Sequence, residues 1–269
     1  MASIVAENVS IHPAAEIDED VEIGPFCVIG PHVRIGRGSR LENNVTLMGH
    51  VVLGEHNHLY PGAVLGGEPQ DVSYSGADTR VIVGSYNTIR ECVTINRGSE
   101  KEDGVTRLGD HNFLMACSHV AHDCRLGSHI IITNGTLLGG HVHVHDRATI
   151  SGGVAVHHYA TIGAYSFIAG MSTVRQDVPP YMLVEGHPAR PRCINVVALK
   201  RNNFSQDTID CLAEAHRLLY RAKVGLDNAR EILRSSGQLV PHVNHLLGFV
   251  QEQQEGRHGR GRERTRRAA

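Results

Sequence analysis

From Ile11 onward every sixth residue is Ile, Leu or Val, and this period constrains the fold more than any other feature of the chain. The series runs Ile11, Ile17, Ile23, Ile29, Ile35, Leu41, Leu47, Leu53, Leu59 and Leu65, then resumes at Val83, Ile89 and Ile95. It resumes once more from Leu108 to Val174, giving 25 anchors without a polar exception. So short a fixed period is the signature of a parallel β-helix, in which each repeat buries one side chain and stacks on its copies. Gly often follows the anchor, as in Ile23-Gly24, Ile35-Gly36 and Leu53-Gly54. Those glycines predict corners that a bulky Cβ would obstruct. Three hexads close one triangular coil, so residues 18 apart should sit above one another, separated by roughly 4.8 Å as neighbouring strands are. The period leaves handedness open, because parallel crossovers are nearly always right-handed.

Two interruptions carry information. Leu65 and Val83 are separated by a stretch with the wrong residues at the anchor places, and Gly98 to Gly104 is a polar run. Both predict loops thrown out of the coil, near residues 67–80 and 98–107, and such loops on a rigid scaffold commonly carry binding groups. The period stops at Pro179-Pro180. Ser205 then offers an N-cap with Asp207 in the first turn, and Ile209, Leu212, Ala213, His216, Leu219 and Tyr220 follow helical spacing. Weaker helical signals follow around 226–233 and 242–250. The expected organisation is a β-helix domain of nine to ten coils over residues 1–182, a small α-helical domain over 183–255, and a disordered Arg-rich tail over 256–269.

Composition narrows the class. Hydrophobic residues make up 41% of the 269, aromatics only 4%, and Trp is absent, which suits a narrow aliphatic core. A formal net charge of −2 gives no general attraction to nucleic acid or membrane. There is no basic-then-apolar leader and no stretch apolar enough for a bilayer, so no stable membrane insertion is expected. Cys27, Cys92, Cys117, Cys124, Cys193 and Cys211 form no CxxC pair. They read as reduced thiols of a cytoplasmic protein, mostly packing residues.

The chemistry should lie where histidines gather. Subtraction by coils puts His122, Gly140 and His158 in one column, Asp123, His141 and Tyr159 in the next, and Ala121, Gly139 and His157 in the one before. The imidazoles of His122, His141 and His157 and the Asp123 carboxylate thus converge on two glycines, which favours a site over scattered surface polarity. His129, His143 and His145 lack such convergence and read as ordinary outward side chains.

The stretch Ser118-His-Val-Ala-His-Asp-Cys124, with Gly139-Gly-His141 and Ala155-Val-His157, resembles the acyl-[acyl-carrier-protein]–UDP-N-acetylglucosamine O-acyltransferase (LpxA) family of hexapeptide-repeat transferases. The likeness extends to Ile23-Gly-Pro-Phe-Cys27, Pro69-Gln-Asp71, Arg90-Glu91, Gln176-Asp-Val-Pro-Pro-Tyr181, Gly186 and Leu199-Lys-Arg201. The resemblance implies a left-handed coil and a homotrimer. It implies transfer of an (R)-3-hydroxyacyl group from acyl carrier protein to the 3-hydroxyl of UDP-N-acetylglucosamine, the first step of lipid A biosynthesis, without cofactor or metal. His122 matches the general base, Asp123 its supporting carboxylate and Gly140 the oxyanion donor. His119, His141 and His157 match substrate-positioning residues, and Gln70 and Asp71 match loop contacts to the sugar or the acyl hydroxyl. Asn195 and Arg201 match nucleotide-side contacts. Gly170 falls where acyl length is gauged, with Met171 narrowing the room. A trimer also follows from need, since a smooth prism has no two-sided groove of its own.

Departures from the family pattern are Ser73 for a loop Lys, Asn96 for a His, His158 for a Gln, Val197 for a Glu and Asn202 for a second Arg. All lie on the substrate side, which leaves a modified or 3-amino sugar nucleotide open as acceptor. Two other readings stand beside it. One is a trimeric β-helix zinc carbonic anhydrase using His119, His122 and Cys117 or Cys124. The other is a scaffold without catalysis.

Overall fold

A computed structural model describes residues 4–256 and Gly259; the remainder of the Arg-rich tail lies outside the described residues. The chain winds as a left-handed parallel β-helix whose three faces are sheets of 11, 9 and 8 strands. The first face begins at Ile4–Val5, the second at Ser10–Ile11 and the third at Glu16–Ile17, and the cycle then repeats. Most strands are two residues long, one pointing out and the anchor pointing in. From Ile23 to Val174 every anchor is buried, while Ile11 and Ile17 at the open end are partly covered. Each aliphatic anchor removed from water contributes about 2 kcal/mol, and stacking repeats that term coil after coil.

The two interruptions change the register as loops should. Within the regular coil Leu137 pairs with Ala155, 18 residues on. Across the first loop His58 pairs with Thr88, and across the second Thr88 pairs with Phe113. The extra residues leave between Val64–Gly67 and Arg80–Val83, and between Thr94–Asn96 and Val105–Leu108. Both loops therefore exit at the corner joining the second face to the third.

The glycines after the anchors stand where a bulkier Cβ would not fit, as their placement predicts. A Cβ on Gly36 would lie 2.6 Å from the Gly54 carbonyl carbon, so the requirement is close approach of successive coils. The left-handed residues come two positions later and are mostly not glycine, for example Asp123, His141 and Tyr159 (φ 59°, 62° and 66°). Contrary to expectation, the cysteines are not mostly packing residues: Cys27 and Cys124 are buried, but Cys92, Cys117 and Cys193 are exposed. Cys92 and Cys117 occupy left-handed corner positions, which face outward.

After Pro179-Pro180 the chain first makes an antiparallel hairpin, Met182–Gly186 with Ala189–Ile194, which extends the first face before any helix appears. Helices α1 (Val196–Arg201), α2 (Gln206–His216), α3 (Leu226–Ser235) and α4 (Pro241–Gln254) then cover that end. Ser205 caps α2 by accepting from the Thr208 N–H at 3.2 Å. A π-helical turn, Arg217–Ala222, follows α2 directly. The buried stripe is Ile209, Leu212, Ala215, His216 and Leu218, with Ala215 and Leu218 in place of the expected Ala213 and Leu219. No helix among the described residues is long and apolar enough to cross a membrane.

Candidate active site

Successive coils deliver one piece of the site each, all at the corner between the second and third faces. His122 and Asp123 follow the strand His119–Val120, and Gly140 and His141 follow Leu137–Leu138 one coil above. Backbone bonds lock the stack: the His141 N–H donates to the His122 carbonyl at 3.0 Å, and the Tyr159 N–H to the Gly140 carbonyl at 2.9 Å. The tight turn forces Asp123 into left-handed backbone, which Asp tolerates better than a branched residue.

Asp123 is 1% exposed, and its Oδ2 lies 2.8 Å from His122 Nδ1. That pairing fixes the ring and leaves Nε2 facing out. The carboxylate is fully partnered, because the Ser99 N–H and hydroxyl donate to it at 2.9 and 2.5 Å. Burial pushes the Asp123 carboxyl up, but the hydrogen bonds from His122 and Ser99 outweigh it and hold it below the usual range. It therefore remains an anion, able to orient the imidazole and to stabilise its protonated form. His141 stands edge-on to His122 with ring centroids 5.1 Å apart, and stacks flat on Tyr159 at 4.3 Å.

Gly140 presses against the imidazole. A Cβ there would sit 2.6 Å from His122 Cε1 and 2.7 Å from Nε2, so only glycine lets the ring occupy this place. The Gly140 N–H donates to no backbone carbonyl among the described residues, and a donor of this kind can stabilise negative charge developing on an oxygen.

The second loop supplies residues that sequence reasoning missed. Four consecutive positions each hold a different part of the site. Ser99 binds Asp123; Glu100 accepts from the Ser75 N–H at 2.8 Å, tying the two loops together; Lys101 Nζ meets Asp71 Oδ2 at 2.5 Å; and Glu102 pairs with His141 Nδ1 at 3.1 Å. Asp71 in turn lies 4.0 Å from His122 Nε2. The Lys101 ammonium, then the Ser73 backbone N–H, hold the Asp71 carboxyl well below the usual carboxylate range. An ammonium thus reaches this place from the second loop, where the resemblance puts one at position 73. The only advance signal was the charged character of the 98–104 run.

The other expected residues fall in graded positions. His119 is one strand back, with Nδ1 2.7 Å from Thr94 Oγ1; burial first, then the charge of His122, lowers its pKa. His157 lies on the next coil at the same corner, its Nδ1 3.1 Å from the His158 carbonyl. From His119 an outward column continues through Leu137, Ala155 and Thr173, with Leu137 51% exposed, leading away from His122. Gly170 and the exposed Met171 flank its far end; a Cβ on Gly170 would meet only ordinary contacts, the nearest at 3.4 Å. Gln70 is an exposed residue of the first loop. Asn195 is spent within the chain, capping α1 and donating to the Tyr165 carbonyl at 2.9 Å. Arg201 is exposed in the last turn of α1. No polar contact joins Asn195 or Arg201 to the His122 cluster among the described residues.

One ligand atom each from His122, Asp123 and His141 falls within 4.8 Å of the others, close enough to gather around a cation. Hydrogen bonds already engage them: His122 Nδ1 on Asp123, Asp123 on Ser99, and His141 Nδ1 on Glu102. The zinc reading through cysteine is corrected by the thiols themselves. Cys124 is fully buried and donates to the Gly139 carbonyl at 3.2 Å, with its pKa pushed up to about 12 by burial, and no cysteine joins the group of His122, Asp123 and His141 among the described residues. Cys117 lies on an outward corner.

Known proteins resemble the chain over most of its length. A family model described as UDP N-acetylglucosamine O-acyltransferase, domain 2, matches residues 177–260, and one described as the GMPPB C-terminal domain matches 5–99. The chain is 45% identical over 246 residues to the acyl-[acyl-carrier-protein]–UDP-N-acetylglucosamine O-acyltransferase of Thermodesulfovibrio yellowstonii, covering 91% of this chain and 95% of that one. Among solved structures, LpxA from Acinetobacter baumannii superposes with a TM-score of 0.88 at 34% identity, covering 94% of this chain and 96% of the other. LpxA from Bacteroides fragilis gives 0.89 at 33% identity, covering 92% and 97%.

Proposed function

Because the chain belongs to the UDP-N-acetylglucosamine O-acyltransferase family, we propose that it transfers a 3-hydroxyacyl group from acyl carrier protein to the 3-hydroxyl of UDP-N-acetylglucosamine with His122 as general base. It is an acyltransferase acting at the first step of lipid A biosynthesis. The observation that carries the mechanism is the buried Asp123 carboxylate holding His122 Nδ1 at 2.8 Å, with Gly140 packed so closely on the ring that a Cβ there would lie 2.7 Å from Nε2.

The steps follow from those positions. Nε2 accepts the proton of the sugar hydroxyl as its oxygen bonds to the thioester carbonyl carbon. The carbonyl oxygen takes up negative charge, which the Gly140 N–H stabilises. Collapse re-forms the carbonyl and breaks the carbon–sulfur bond, and the departing thiolate takes the proton back from the imidazolium. Asp123 stabilises that imidazolium throughout. The apolar column beyond His119 seats the acyl chain, and Gly170 leaves room at its end. Gln70 and Asp71 face the sugar or the acyl hydroxyl.

The need of a sugar nucleotide and an acyl chain for a two-sided groove, which one prism lacks, supports a homotrimer in which Asn195 and Arg201 of one protomer serve the site of its neighbour. A cytoplasmic location suits a reaction between a soluble carrier and a sugar nucleotide. His122→Ala should lower turnover by roughly 10²–10⁴-fold with folding intact, since the ring lies outside the core. Turnover within a few-fold of wild type would overturn the assignment.

A further inference from the structure

The second loop does more than close a corner. Its residues Ser99, Glu100, Lys101 and Glu102 touch Asp123, Ser75, Asp71 and His141 in turn, so it links the base's support, the first loop and the neighbouring imidazole. Of these, Lys101 has the most consequence for chemistry. Asp71 Oδ2 stands 4.0 Å from His122 Nε2, the atom assigned to take the substrate proton, and the same oxygen is 2.5 Å from Lys101 Nζ. Asp71 is largely covered, with 15% of its side chain exposed, so its charge is only partly screened by water.

From this arrangement we infer that Lys101 is a positioning residue for the transfer reaction: it holds Asp71 in place and cancels its charge beside Nε2 of His122. The inference rests on the reading of His122 as base. Without that ammonium, His122 would sit between two carboxylates, Asp123 at Nδ1 and Asp71 at Nε2. A second uncompensated anion at this distance favours the imidazolium, and a protonated ring cannot accept a proton. Asp71 would also compete with the sugar hydroxyl for Nε2. With Lys101 in place, Asp71 keeps its oxygens for substrate and is turned from Nε2 toward the ammonium.

The other charged groups around the ring do not replace Lys101. Asp123 supports it from its own turn. His119 neighbours it on the preceding strand, and its pKa is lowered in part by His122. His141, from the coil above, is itself paired with Glu102, and Arg125 reaches Glu102 at 3.6 Å from the third face. Glu100 adds a further negative charge near Asp71 and is engaged by the Ser75 N–H and hydroxyl. Lys101 is the cation that contacts the Asp71 side of this group.

The test uses the full-length enzyme with acyl carrier protein loaded with 3-hydroxyacyl chains. In Lys101→Met the acidic limb of kcat/KM against pH should move upward by about one pH unit. Lys101→Arg should leave the limb near the wild-type position. Lys101→Met combined with Asp71→Asn should bring it back even if the rate is low, because both charges are then gone. The same order should appear in the His122 titration followed by NMR on the resting enzyme, which needs no turnover. An unmoved limb and unmoved titration in Lys101→Met would overturn the inference, as would a shift that persists in the double variant. Activity retained in His122→Ala would instead refute the base assignment, so the two failures are separable.

Discussion

Replacing Gly140 with alanine probes the closest approach in the site. The new Cβ would lie 2.6 Å from His122 Cε1 and 2.7 Å from Nε2, whereas carbon atoms rest about 3.5–4.0 Å apart. The ring must therefore move by about 1 Å. It cannot do so freely, because Nδ1 is held at 2.8 Å by Asp123, which Ser99 holds in turn. Either that bond breaks or Nε2 leaves its present place. A misplacement of about 1 Å can cost roughly 10²-fold, so kcat/KM should fall by about that factor, or about 2.7 kcal/mol in the transition-state barrier. Gly140 is outside the left-handed region, so alanine adds no backbone strain and the melting temperature should change little. Gly139→Ala is the contrast. Its Cβ would meet the backbone nitrogen of His158 at 2.8 Å, which cannot swing away, so this variant should lose about 1–3 kcal/mol of stability. Kinetics with acyl carrier protein and UDP-N-acetylglucosamine, paired with thermal melts, separate the two. A folded Gly140→Ala enzyme within threefold of wild type would refute the reasoning.

Gly170→Met should shift preference toward shorter acyl chains, each excluded CH₂ being worth roughly 0.8 kcal/mol; competition between carrier proteins of different chain length, read by mass spectrometry, checks it. His216 is 5% exposed and its Nε2 has no hydrogen-bond partner among the described residues; burial first, then the Arg221 charge, lowers its folded-state pKa. Its contribution to stability should therefore be complete above the unfolded value of about 6.5 and be lost as pH falls below it; His216→Leu should flatten the decline in melting temperature between pH 7.5 and 5. Mixing inactive His122→Ala and Arg201→Ala chains under exchange should restore part of the activity, and no recovery despite demonstrated exchange would argue against Arg201 acting across protomers.

What could be read in advance tracked the period. The anchors from Ile23 to Val174 fix which side chains point inward, and counting by coils placed Gly140 on His122 and His141 on Asp123. Counting fails where the chain leaves the coil. Ser99, Lys101 and Glu102 belong to no column, so nothing in their spacing pointed to Asp123, Asp71 or His141. The hairpin 182–194 escaped because the hexad signal had ended and its strands follow a different rule. The ladder Asn57, Asn87 and Asn112, buried one above another, was also invisible. Asn87 Nδ2 donates to Asn57 Oδ1 at 3.0 Å, and Asn87 Oδ1 accepts from the Asn112 N–H at 2.9 Å. Polar side chains at non-anchor places look like surface until the coil closes over them.

The two loops and the three histidine-bearing turns occupy the same corner on five successive coils. That arrangement makes the protein tolerant of length change in one place and intolerant in another. Duplicating or deleting a whole coil between Glu22–Ile23 and Arg40–Leu41 would extend or shorten the prism while leaving every neighbour of His122 where it is. The same change between Thr94–Asn96 and His143–Val144 would slide one half of the site past the other by a strand spacing, roughly 4.8 Å, farther than any of these side chains can follow. Lineages carrying this site should therefore differ in coil number at the amino-terminal end and keep the interval from the second loop to His141 constant.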